Sequence, residues 1–128
     1  MRALVRTVDG VYEVDLEDEV VLGPSDAHVE LPTLELPLPR VVSAAQSGST
    51  VIAVVDTRPP LVISGDAGVT WREAGGGLPA GRAIAIADDN PDVVLYGARN
   101  RLYLSADGGR FWRSLAPELP EIEAVSLV

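Results

Sequence analysis

The chain contains no cysteine, which excludes disulfides, thiolate nucleophiles and cysteine-ligated metals. Its single histidine, His28, reads as an ordinary surface residue, because a zinc site needs three or four such ligands. No metal or cofactor is expected. No apolar run approaches the roughly 18 residues of a membrane span, and the start MRALVRTVDG lacks the apolar stretch of a signal peptide. A cytoplasmic protein without a membrane partner is therefore expected.

Lysine is also absent: all ten basic residues are arginine, set against 19 acids for a net charge of -9. That charge repels phosphate backbones, so nucleic acid is not an expected partner. Two readings of the missing lysine stay open. One is the codon bias of a GC-rich genome. The other is a salt-rich cytoplasm, where acidic charge keeps a protein in solution while ions screen its self-repulsion.

No segment carries a convincing helical period. What is present instead is 47% hydrophobic residues punctuated by 12 Gly and 10 Pro over 128 residues, the composition of one turn-rich globular domain. The stretch SGDAGVTW at Ser64–Trp71 returns as SADGGRFW at Ser105–Trp112, 41 residues later, with identical Ser, Asp, Gly and Trp spacing. Upstream of the first copy lie the β-branched and apolar runs VVSAA, VIAVV and LVIS. Upstream of the second lie AIAIA, VVLYG and RLYLS, and VTWREA or RFWRSL follows each turn. Runs of this length bounded by Gly, Pro, Asn and Asp read as strands. Each repeat is thus four short antiparallel strands, the size of a propeller blade.

The pattern S-x-D-x-G-x-T-W, matched by Ser64, Asp66, Gly68, Thr70 and Trp71, resembles the Asp-box of the sialidase-type (BNR) repeat. The second copy carries Ser105, Asp107, Gly109 and Trp112, with Phe111 in the Thr place. The likeness covers residues 41–128 well and the first 40 weakly. It is similar to the Asp-box propellers of sialidases, sortilin-type receptors and photosystem II assembly factors, and implies an all-β propeller. The physical reading of the box is local: the Asp accepts turn amides, the Gly allows positive φ, and the Trp buries its ring beneath the turn.

Residues 1–22 read as strands two to four of a degenerate first blade. Aligning Tyr12 with Tyr103, an offset of 91, puts Val14, Leu16 and Val21 in the Ser, Asp and Trp slots, so the turn staple is expected to be lost. Residues 23–40 form a Pro-rich connector with a candidate edge strand at HVEL, and are the place for a channel lip or docking strip. Residues 41–81 and 82–120 are the two Asp-box blades. Residues 121–128 supply a first strand, AVSLV (Ala124, Val125, Ser126, Leu127, Val128), for a first blade. Three blades are fewer than the four to eight of closed propellers, and an open arc would expose two apolar faces. The expectation is a six-bladed homodimer in which AVSLV pairs with ALVRT of the partner.

Sialidase chemistry needs an arginine cluster, a Tyr nucleophile with a Glu, and an acid Asp. The Arg-Ile-Pro segment of those enzymes is absent, and Tyr12, Tyr96 and Tyr103 sit in predicted strands. GGGLPAGR lacks the Lys-Ser/Thr of a phosphate loop, and neither DLEDE nor the Asp88-Asp89 turn has the ligand pattern of a calcium loop. No catalytic residue is assigned. The expected function is a non-catalytic scaffold or binding module, with a protein or small ligand at the ring face or channel. The alternative is a sialidase-like hydrolase or lyase, which should gather arginines in its channel.

Overall fold

The computed structural model describes residues 1–31, 38 and 40–128. Twelve strands account for its regular structure: β1 (Arg2–Thr7), β2 (Gly10–Asp15), β3 (Val20–Ser25), β4 (Val41–Ser47), β5 (Thr50–Val55), β6 (Leu61–Ser64), β7 (Arg72–Ala74), β8 (Ala83–Ala87), β9 (Asn90–Ala98), β10 (Arg101–Ser105), β11 (Arg113–Glu118) and β12 (Ile122–Leu127). They form three four-stranded sheets: β12-β1-β2-β3, β4-β5-β6-β7 and β8-β9-β10-β11. These are blades 1, 2 and 3, and every described strand pair within them is antiparallel.

Blade 3 is the middle blade, because its innermost strand is packed on both sides. Alternate residues of a strand face opposite ways, so in AIAIA the small Ala83 and Ala85 join the core shared with blade 1. The larger Ile84 and Ile86 join the core shared with blade 2. A strand covered on both faces carries no polar alternation, which is why β8 is buried along its whole length. Each fully buried Leu or Ile in these two layers, such as Leu95, Leu102 or Ile52, contributes about 1.5–3 kcal/mol. Tyr96 is fully buried in the second layer, packs against Tyr103 and Trp112, and donates its hydroxyl to the Pro79 carbonyl at 2.7 Å. Tyr12 packs against the first layer. All three tyrosines thus have packing positions.

Backbones approach closely where β9 meets β12. A methyl group on Gly97 would stand 2.8 Å from Ile122 Cγ2 and 3.1 Å from Ala83 Cβ, so only glycine fits there without displacement.

Within the single chain β12 pairs with β1, with Ala3 opposite Leu127, Val5 opposite Val125 and Arg6 opposite Ala124. It also begins earlier than expected, at Ile122, and Val128 donates its amide to the Arg2 carbonyl at 3.0 Å. The connector permits this, since the 15 residues between Ser25 and Val41 can span about 50 Å when extended. The candidate strand at HVEL is irregular: residues 28–31 form no strand. Arg6 donates to the Val29 carbonyl at 3.2 Å, and Val29 is buried, so this piece lies against blade 1. Residues 32–37 and 39 of the connector lie outside the described residues.

The outer faces of the arc differ between blades 1 and 2. Val51, Ala53 and Val55, which alternate with the core residues Ile52 and Val54, are all buried. On blade 1, the face opposite Ala3 and Val5 carries the ion pairs Arg2–Glu13 at 3.0 Å and Arg6–Glu123 at 3.4 Å. The outer strand of blade 1 leaves Val20, Val21 and Leu22 exposed, so apolar surface is open there.

Candidate functional site

The two repeated turns are built alike. Ser64 is buried at the end of β6, where its hydroxyl donates to Asp66 Oδ1 at 2.6 Å and accepts the Gly68 amide at 2.8 Å. Asp66 also takes the Thr70 amide at 2.9 Å on Oδ1 and the Thr70 hydroxyl at 2.5 Å on Oδ2. Hydrogen bonds from the Ser64 and Thr70 side chains and the Thr70 amide hold its carboxyl down to a pKa of about 2. Gly68 has φ +92°, and the Trp71 indole N–H closes the turn on the Gly68 carbonyl at 3.1 Å.

In the second turn Ser105 donates to Asp107 Oδ1 at 2.8 Å and accepts the Gly109 amide at 2.9 Å. Asp107 accepts the amides of Phe111 at 3.0 Å and Arg110 at 3.2 Å, and the Phe111 amide leads the causes that lower its pKa. Trp112 donates to the Gly109 carbonyl at 3.0 Å. Phe111 supplies no hydroxyl and leaves its ring 79% exposed. Both carboxylates are held by donors of their own turns, and their lowered pKa values keep them ionised near neutral pH.

Blade 1 has a staple of its own, one position away from the slot the sequence alignment assigns. Asp15 Oδ1 accepts the amides of Asp18 at 2.8 Å and Glu17 at 2.9 Å, and the Asp18 amide leads the lowering of its pKa. Leu16, in the aligned Asp slot, is fully buried in the core instead. The signal in the sequence was an Asx turn, Asp15 followed by polar residues, hidden by enforcing the 91-residue offset.

An axial groove of about 320 Å³ lies where the innermost strands of the three blades meet. Its walls are the innermost strands of the three blades, at Ala44–Gln46 of β4, Ala83–Ile86 of β8 and Ala124–Leu127 of β12, together with Glu30 and Asp88. Four residues of the expected closing strand, Ala124, Val125, Ser126 and Leu127, thus line it. The Asp-box residues do not. Each of the three strands ends its sheet, so its inward backbone edge is free of strand partners. The groove has no tyrosine, histidine or arginine among its lining residues. Five arginines are instead paired with carboxylates: Arg2, Arg6, Arg82, Arg101 and Arg113. Among the described residues no group of three or more His, Asp or Glu side chains is arranged to hold a metal ion, and no helix is long and apolar enough to cross a membrane.

Three four-stranded antiparallel blades around an axial groove define an all-β, propeller-like chain. Solved structures of propeller proteins are similar to it. YCF48 bound to a D1 peptide matches 94% of this chain and 38% of its own, at 19% identity and a TM-score of 0.54. The Niastella koreensis GH74 enzyme matches 89% of this chain and 18% of its own, at 24% identity and a TM-score of 0.49. The chain therefore spans less than two fifths of either protein. No protein-family model and no curated protein matches the sequence.

Proposed function

We propose that the chain is a non-catalytic propeller scaffold whose binding site is the axial groove. The observation that carries this reading is the groove's make-up: three free strand edges with small side chains converge there, and its described lining residues include no tyrosine, histidine or arginine. A volume of about 320 Å³ falls at the lower end of the roughly 300–1,000 Å³ of ligand sites, enough for a short segment or small molecule. Of the two propeller relatives, one was solved with a peptide and the other is an enzyme, so the fold by itself is compatible with either role. The absence of arginine from the lining argues against an acidic-sugar hydrolase or lyase, which would need to neutralise a substrate carboxylate.

Selection of peptides from a random display library tests the groove. Peptides retained by the wild-type chain should be lost on Gln46→Trp, which places an indole at an exposed lining position. Retention by both proteins would overturn the reading.

The six-bladed ring is a second reading, favoured because exchange of β12 between two copies would keep every β1–β12 register pair while raising the blade number from three to six. Light scattering decides it: the ring requires twice the chain mass of 13.5 kDa.

A further inference from the structure

We propose that the axial groove takes an extended, basic peptide segment of a partner protein; this rests on the groove being the binding site. The first support is the backbone. β4, β8 and β12 each hydrogen-bond a neighbour on one side only, so their other edges offer alternating N–H and C=O groups to the groove. An extended peptide is the ligand whose own backbone repeat matches such an edge, and alanine-rich walls let it come close.

The second support is charge. Glu30 and Asp88 line the groove, are exposed, and have no ion-pair partner among the described residues. By contrast Glu13, Glu19, Glu118, Glu121 and Glu123 each engage an arginine. Two unneutralised carboxylates beside the groove, in a chain of net charge -9, select a cationic segment and repel an acidic one.

Fluorescence anisotropy with two labelled peptides, acetyl-Ala-Arg-Ala-Arg-Ala-amide and its glutamate counterpart, tests this on the full chain. The arginine peptide should bind, and the glutamate peptide should not. Affinity should fall with added salt and drop about two- to thirtyfold in the Glu30→Gln/Asp88→Asn double variant, the range for two exposed ion pairs. Methylating alternate peptide amides should weaken binding further, because it removes donors to the strand edges. Circular dichroism melts check that the variants remain folded, and both substitutions lie at exposed positions.

Equal binding of both peptides, or an unchanged affinity in the double variant, would overturn the cationic preference and leave the groove itself standing. Indifference to amide methylation would overturn the strand-edge mode. Arginine-peptide binding that survives Gln46→Trp would overturn the groove as the site and mark the attraction as non-specific.

Discussion

The carboxylate of Glu19 accepts two hydrogen bonds from blade 3, one from the Arg113 guanidinium and one from the Ala116 amide, each at 2.8 Å. The partners are 94 and 97 residues away in sequence, and Glu19 holds a positive φ of 54° to reach them. This clamp joins the outer strands of blades 1 and 3, where the buried layers thin out. Glu19→Ala should cost about 1–2 kcal/mol, because it leaves the Ala116 amide without its charged acceptor. Chemical denaturation would register the loss, and hydrogen exchange should speed up first at Ala116.

Acid should attack the turn staples before the core. Asp66 has its pKa depressed to about 2 from an ordinary 3.8, and Asp107 and Asp15 are shifted the same way. A depressed folded-state pKa contributes stability that is complete above the unfolded value and disappears as pH falls through the folded one. Melting temperature should therefore hold steady down to pH of about 4 and decline toward pH 2. In the Asp66→Asn/Asp107→Asn double variant that decline should be shallower, from a lower starting point.

Phe111→Thr should stabilise the chain by about 0.5–1 kcal/mol. It would add to Asp107 the hydroxyl donor that Thr70 gives Asp66, and remove a ring that is 79% exposed. A thermal melt reads the change directly. A lower melting temperature would show that the Phe111 ring contributes more against Leu104 and Trp112, its neighbours in a shallow surface recess, than the added bond returns.

Gly97→Ala should destabilise by about 1–3 kcal/mol through overpacking, since the added methyl meets Ile122 and Ala83 at once. Because Ile122 begins β12, limited proteolysis should then cut near the chain's C-terminal end sooner than in the wild type.

The sequence made the blades legible because their signals are local. Short β-branched runs, turn residues and a staple repeated at 41 residues need no knowledge of distant contacts. Glu19 was unreadable for the opposite reason: its partners lie nearly a hundred residues on, and nothing near it distinguishes it from Glu17 or Asp18. Asp15 was missed because a rigid alignment looked for an acid at Leu16, which the core had claimed. The groove was hidden as well. Its walls are alanines whose meaning lies in the backbone edges they leave uncovered, and its acids come from a connector and a turn that read as solvated loops.

The pairing of β12 with β1 has one further consequence. Leu127 lies opposite Ala3, so the two ends of the chain are neighbours on one sheet. A short glycine linker could join them, and new ends could be opened between Ser25 and Val41. Such a circular permutant would run β4–β7, β8–β11 and then β12, β1, β2, β3, three complete blades in simple succession. The irregular order of this chain would become a regular tandem array without a single strand pair being broken.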